Sequence, residues 1–244
     1  MSDQKRKAEA FRALHVAGNP LVLFNVWDAG STKAVTSAGA KAIATGSWSV
    51  ASANGFADGE RIPLALAIDN LRRIVAATDL PVTIDLESGY GETPAQVGET
   101  IRLAIDAGAV GCNLEDSFPA NGSLRDIREQ CDRIRAARQS AFFLNVRTDV
   151  FFQNGSVDQA LERARAYADA GADGLFAPGL ANIDWIARLA AESPLPLNIM
   201  VGNDTPPLRA LAESGVARVS HGPGPYVLAM KALEEAARAA YGVR

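Results

Sequence analysis

One joint between elements recurs along the chain and narrows what it can fold into. The segments AGAKAIATG (38–46), AGAVGCNLE (107–115), AGADGLFAPG (170–179) and SGVARVSHG (214–222) each set a glycine, Gly39, Gly108, Gly171 or Gly215, one to three residues before a short apolar run. Glycine past the last helical turn takes the left-handed conformation that ends a helix, so each joint reads as helix, turn, strand. Counting such runs gives LVLFNV (21–26), KAIAT (41–45), PVTID (81–85), VGCNLE (110–115), FFLNV (142–146), DGLFA (173–177), PLNIM (196–200) and ARVS (217–220). Each is too short for an ordinary helix and most are rich in Val, Ile, Leu or Phe, the pattern of strands buried on both faces of a parallel sheet.

Amphipathic helical segments lie between the runs, among them 93–108, 156–171 and 205–215. In the first, Val97, Ile101, Ala104 and Ile105 fall at helical spacing opposite Glu99, Arg102 and Asp106. Thr93-Pro94 reads as N-cap and first helical residue. Eight strands alternating with helices predict an α/β fold of the (β/α)8 TIM-barrel type, with an N-terminal helix over 3–17 and a C-terminal helix over 224–241. The alternative is an open doubly wound sheet, whose dinucleotide version is weakened by the lack of GxGxxG after the first strand. The 244 residues contain no linker or low-complexity stretch, and barrels run to roughly 250 residues, so a single domain over 1–244 is expected.

A net charge of −4 without a basic run argues against nucleic acid or an anionic membrane as partner. No apolar stretch approaches the roughly 20 residues of a membrane span, and the N-terminus lacks the apolar core of a secretory signal. Two cysteines, Cys112 and Cys131, give no disulfide framework. A soluble cytoplasmic protein is expected.

In such a barrel the chemistry sits where strands lead into helices. Strand three ends Asp85-Leu86-Glu87-Ser88-Gly89-Tyr90-Gly91, strand four Glu115-Asp116-Ser117, strand five Asn145-Val146-Arg147-Thr148-Asp149, and the segment after strand two carries Asp58 and Glu60. Period-two geometry sends Asp85 and Glu87 to one side of their strand, and a neighbouring strand roughly 4.8 Å away brings Glu115 near them. Carboxylates that close require raised pKa values or a bound cation. All-oxygen donors suit Mg²⁺, Mn²⁺ or Ca²⁺ rather than Zn²⁺. Solvated loop positions, or pairing with arginines, are the plainer reading of each acid alone.

DLESGYG, followed about thirty residues on by NLEDSFPANG, resembles the isocitrate lyase/phosphoenolpyruvate mutase superfamily; NVWDAGST, ATGSWSVASANGFADGE and NVRTDVFF support this in the right order. The resemblance runs from about residue 10 to 225. It implies a Mg²⁺-dependent enzyme, with Mn²⁺ as a substitute, acting on small 2-oxo or 2-hydroxy dicarboxylates or phosphonates through an enolate. It implies Asp85 as direct metal ligand, with Asp58, Glu87 and Glu115 holding the ion largely through its waters. Gly46, Ser47 and Trp48 resemble the loop that receives substrate oxygens, and Arg147 the substrate-binding arginine, whose planar fork suits a carboxylate or phosphonate. Asp58, Glu115 and Arg147 would form the catalytic group, with Tyr90 either a further substrate-binding residue or packing for its turn. Homo-oligomers, dimers or tetramers, follow from the same resemblance, with C-terminal helices exchanged between subunits; a chain stopping at Arg244 suggests that exchange is reduced.

Three departures bear on the reaction. Glu87 replaces the second aspartate of the superfamily's acidic turn. The lyase loop after strand four, with its basic residue, cysteine, glycine and histidine, is replaced by SFPANGSL (117–124), and neither Cys112 nor Cys131 can stand in for the lyase acid. Ala120 stands where mutases carry lysine, and Asn121 is one place off. His221 is assigned to structure more readily than to substrate, His15 lies away from the chemistry, Asn145 satisfies polar groups, Asp149 caps the next turn, and Trp48 and Phe118 are either an apolar cover or ordinary packing. The 117–124 loop is expected to close over substrate. Cleavage of a C–C bond in an oxaloacetate-like 2-oxo dicarboxylate, by lyase or hydrolase chemistry, is expected first. The alternatives are C–P chemistry (phosphonopyruvate hydrolase, or carboxyphosphonoenolpyruvate or phosphoenolpyruvate mutase) and a non-catalytic 2-oxo-acid-binding barrel.

Overall fold

The structure is a computed structural model and describes residues 3–139 and 141–242; the outermost residues of the expected 1–244 domain, Arg244 included, lie outside them. Eight parallel strands are present at the eight expected runs: β1 (Leu21–Leu23), β2 (Ile43–Ala44), β3 (Val82–Asp85), β4 (Gly111–Glu115), β5 (Phe143–Arg147), β6 (Gly174–Phe176), β7 (Leu197–Met200) and β8 (Arg218–Ser220). They pair in the order β1-β8-β7-β6-β5-β4-β3-β2. Just past the end of β1, a parallel bridge between Val26 and Thr45 joins it to β2 and closes the barrel. The open-sheet alternative is thereby excluded.

The helices are α1 (Asp3–Ala13), α2 (Ala29–Ser37), α3 (Ser47–Ala53), α4 (Leu64–Ala76), α5 (Pro94–Asp106), α6 (Ile127–Ala137), α7 (Val157–Ala170), α8 (Ile183–Glu192), α9 (Leu208–Glu213) and α10 (Gly224–Tyr241). α5 begins as its sequence dictates: Thr93 accepts from the Gln96 amide, Gln96 answers the Thr93 amide, and Pro94 fills the first turn. Gly39, Gly108, Gly171 and Gly215 all have φ between 85° and 107°, the conformation the recurrent joint requires. Val97, Ile101 and Ala104 of α5 are fully buried against the outer faces of β3 and β4, where Ile84, Cys112 and Leu114 point. Complete burial of one such isoleucine contributes about 1.5–3 kcal/mol. The segment after β2, expected as a loop, contains α3, and α1 stops at Ala13, short of the expected residue 17.

Alternation along the strands places a second set of side chains inside the barrel. At the lower end Ala8 and Phe11 of α1 pack with Leu21, Leu23, Ala42, Val110 and Phe143, closing that end with apolar groups. His15 stacks on Phe143 with ring centroids 4.1 Å apart, and burial presses its imidazole down to a pKa of about 3, so it stays neutral in this plug. Above the plug the interior turns polar: Asn145 donates to Asn113 at 2.9 Å, and the buried Arg218 donates to Asn113 at 3.2 Å. The upper rim carries the site.

Candidate active site

Register builds the site. Asp85 is paired with Asn113, and two residues further along β4 Glu115 is paired with Arg147 of β5. Residues two apart on a strand point the same way, so Asn113 forms a floor and Arg147 rises at the rim. The cavity over this floor, of about 240 Å³, is lined by Gly46, Ser47, Trp48, Asp58, Asp85 and Arg147 from the expected set. Asn25, Asn113 and Ser220, which sequence reasoning did not single out, share that lining. Asn25 anchors the rim: its carbonyl oxygen accepts from the amides of His221 and Gly222, at 3.0 and 2.9 Å, and its amide donates to the Thr45 carbonyl. It lay within NVWDAGST, and an asparagine leaving a strand into a turn was the available signal.

Asp85 holds the centre. Its amide donates to Thr45 Oγ1 at 2.9 Å and its Oδ2 accepts from the Ser47 amide at 3.2 Å. Its Oδ1 is buried and has no hydrogen-bond partner. A buried carboxylate oxygen without a donor is costly unless something cationic meets it. Asp58 stands on the same cavity; burial first, and then the charge of Asp85, push its carboxyl above the usual range.

The four expected carboxylates are near enough for the charges of Asp58 and Asp85 to act on Glu87 and those of Asp85 and Glu87 on Glu115, but they do not all reach the cavity. Among the described residues, no three of the His, Cys, Asp and Glu side chains converge as a ready metal cage. Glu87 and Tyr90, both expected in the site, are off the cavity lining. The period-two argument fails for Glu87 because β3 ends at Asp85 and Glu87 itself has φ 51°, so the chain has already turned. Its Oε2 instead accepts the amides of Gly59 and Glu60, at 2.8 and 2.7 Å, and clamps the Asp58 loop. Tyr90, also at φ 51°, donates its hydroxyl to Glu87 Oε1 at 3.2 Å; it serves the clamp rather than the cavity. Burial, then the charges of Asp58 and Asp85, raise the Glu87 carboxyl to about 7. Glu60, which was noted without a role, completes the clamp by accepting from Ser88 Oγ and the Tyr90 amide. Arg133 of α6 holds the far side of this turn through the Ser88 carbonyl at 2.5 Å.

Glu115 likewise stands behind the cavity, bound to Arg147 Nη1 at 2.6 Å. Burial drives its carboxyl upward, with Arg147 pulling against it. Burial also opposes the Arg147 charge, but Glu115 and Asp149 outweigh it and hold the guanidinium above its ordinary value. Contrary to expectation, the Asp149 side chain does not cap the turn after β5 (Val150–Gln153). It accepts from Arg147 Nε at 2.6 Å and from Ser117 Oγ at 2.6 Å, and so fixes the direction of the arginine. Of the five N–H groups of a guanidinium, three are then engaged within the protein and one on each Nη is left for a ligand.

The loop N–H groups are less available than expected: the Gly46 amide donates to Val26 O and that of Ser47 to Asp85. Those of Trp48 and Ser49 open the first turn of α3, where a helix supplies no internal acceptor. His221 lies off the cavity with its ring beside Phe24, in keeping with its structural assignment. Both cysteines are free and buried; Cys112 lies in β4 and Cys131 in α6.

An oxygen-only donor set in which one aspartate offers a free buried oxygen, beside a second acid, fits a hard cation such as Mg²⁺ that keeps most of its waters. Asp85 would hold such an ion directly and Asp58 through water. The arrangement can therefore chelate a small anion between a cation and a preset guanidinium.

Residues 11–241 match the family model described as phosphoenolpyruvate phosphomutase. The 2-methylisocitrate lyase of Salmonella typhimurium is 32% identical over 212 residues, 81% of this chain and 72% of that one. The oxaloacetate decarboxylase of Bradyrhizobium sp. is 31% identical over 194 residues, 74% of this chain and 66% of that one. A crystal structure from Burkholderia cenocepacia, described provisionally as a phosphonomutase, superposes with a TM-score of 0.93 at 58% identity, covering 98% of this chain and 99% of that one. Phosphonopyruvate hydrolase in complex with oxalate and Mg²⁺ shares the fold at 23% identity, with a TM-score of 0.86 over 97% of this chain and 88% of that one.

Proposed function

The chain belongs to the phosphoenolpyruvate phosphomutase family, within the isocitrate lyase/phosphoenolpyruvate mutase superfamily, and from that premise we propose that it is a Mg²⁺-dependent enzyme cleaving a C–C bond in a small oxaloacetate-like 2-oxo dicarboxylate. The observation that carries this is the buried, unpartnered Oδ1 of Asp85, a residue that lines one cavity together with Asp58 and Arg147. A divalent cation bound there supplies Lewis-acid stabilisation of the enolate oxygen that develops as the bond breaks.

This chain's own groups do the rest. Arg147, already oriented by Glu115 and Asp149, offers its two remaining N–H groups to the substrate's second carboxylate. The Trp48 amide, on the cavity lining in the first turn of α3, meets the first carboxylate. Holding both ends removes the entropy of orientation before the chemical step. Asp58, its carboxyl raised above its ordinary range by burial and by the charge of Asp85, lines the same cavity and is the group placed to hold or release a proton there. The loop 117–124 carries no cysteine, histidine or basic residue, so lyase cleavage of isocitrate type is not proposed.

Oxaloacetate loss with Mg²⁺, followed by ultraviolet absorbance and by NMR of the products, tests the reading. Turnover that disappears with a chelator and returns with Mg²⁺ or Mn²⁺ is expected. Turnover of phosphonopyruvate in its place would favour the second reading, a C–P enzyme, which the likeness to the Burkholderia structure supports. No turnover of either would overturn both. The chain is further proposed to act in the cytoplasm as one domain within a homo-oligomer; no helix among the described residues is long and apolar enough to cross a membrane.

A further inference from the structure

The order of strands round the barrel says what the substrate's remaining substituent meets; this step rests on the reading just proposed, which fixes the carboxylate end beside β2 and β3. In a ring of eight, β6 stands opposite β2, and β7 stands opposite β3. The inward residues at the ends of those two opposite strands are Phe176 and Met200, and Phe152 and Pro223 continue the same wall toward the mouth. None of the four carries charge. Arg147 is the one cation on the lining; it is paired in register with Phe176 and lies 5.7 Å from the centroid of the Phe152 ring, so the apolar wall begins beside the guanidinium and runs from there to Met200.

The wall is built rather than incidental. Gly222 has φ 54°, and a Cβ there would come within 2.8 Å of Met200 Sδ; glycine lets the methionine lie against the backbone. Gly179 has φ 80°, and a Cβ there would meet the Phe152 ring at 2.9 Å. Two left-handed glycines from different loops thus seat two apolar side chains on one side of the cavity, while the opposite side holds two carboxylates. We infer that the site selects 2-oxo acids bearing an alkyl group on carbon 3, with Met200, Phe152 and Phe176 as the specificity-determining residues. Unsubstituted oxaloacetate leaves this wall in contact with water; a methyl or ethyl group on the carbon next to the carbonyl covers it.

Calorimetric titration of the full chain in Mg²⁺ with pyruvate, 2-oxobutyrate and 3-methyl-2-oxobutyrate tests this without relying on turnover. Affinity is expected to tighten by about four- to tenfold for each added methyl group. In the near-isosteric Met200→Gln protein, and independently in Phe152→Ser, that gradient should flatten while affinity for oxalate, which has no group to reach the wall, is kept. A gradient that is flat or reversed in the unaltered protein overturns the inference, as does one that survives both substitutions. A steep gradient together with no cleavage of oxaloacetate or 3-methyloxaloacetate would sustain the alkyl-selective site and overturn the proposed reaction instead. Cleavage of oxaloacetate with a flat gradient would do the reverse.

Discussion

Asp85 differs from every other acid of the rim in one atom, an oxygen that is buried and has no donor. Asp85→Asn is expected to abolish Mg²⁺ binding in titration calorimetry and to lower turnover on the order of 10³-fold, since a cation's stabilisation of developing charge amounts to several kcal/mol. Retained Mg²⁺ affinity would remove Asp85 from the metal role. Asp149 acts one step away: Asp149→Asn frees Arg147 to swing, and misplacement of that size costs about 10²-fold in kcat/KM. Kinetics that left kcat/KM unchanged would show that Glu115 alone orients the arginine. Glu87 carries a pH signature. Its carboxyl titrates at about 7 in the folded chain against 4.5 unfolded, so the folded state binds the extra proton between those values. Stability without divalent cation should then fall as pH rises from about 5 to 7, by on the order of 2–3 kcal/mol, and Glu87→Gln should flatten the slope. Thermal melts across that range that rise or stay level would contradict it. Strand-end position drew attention to Asp85 and Arg147, and the resemblance to the superfamily supplied the role expected of each. Glu87 and Tyr90 were misplaced because a left-handed backbone at each turned them out of the strand's alternation, and no residue-type signal marks that conformation at Glu or Tyr. Asn25 carried only the weak signal of an asparagine leaving a strand into a turn, and Asn113, inside β4, becomes visible as a site residue only when its hydrogen-bond partners are known.

Among the elements, the eight strands and the long helices were readable because burial on both faces and the 3.6-residue period leave strong patterns. α3 was not: SWSVASA has little polar–apolar contrast, and the residues after β2 read as a glycine- and aspartate-bearing loop. The segment 117–124 is the element with most bearing on turnover. It folds back on itself through an antiparallel bridge between Ser117 and Leu124, and Phe118 lies 3.9 Å under the Arg125 guanidinium. Its Pro119 carbonyl oxygen comes against Gly59, in the loop that carries Asp58, and a Cβ on that glycine would sit 3.4 Å from it. Ligand binding at Asp58 should therefore be felt by this hairpin. Subtilisin cleavage within 119–123 is expected to slow several-fold with Mg²⁺ and oxalate together; equal rates with and without them would exclude closure.

At the scale of the whole molecule, α10 stands out because Pro225 is its only buried residue. Val227, Met230 and Leu233, three residues apart along one face, are 50, 37 and 63% exposed, while Val22 and Phe24 on the outside of β1 are also uncovered. An apolar helix face and an apolar barrel face, each lacking a cover, support the proposed homo-oligomer. Light scattering should give a dimer or tetramer, and Met230→Glu with Leu233→Glu should shift it to the monomer; a monomer in the unaltered chain would end the proposal. The apolar plug of α1 beneath the barrel has a separate consequence for traffic. With Phe11 and Phe143 sealing the lower end, the proposed substrate and both of its fragments would pass through the rim. On the proposed reaction, the fragment held at the Asp85 cation would leave last, so that product should compete with incoming substrate and the other should not.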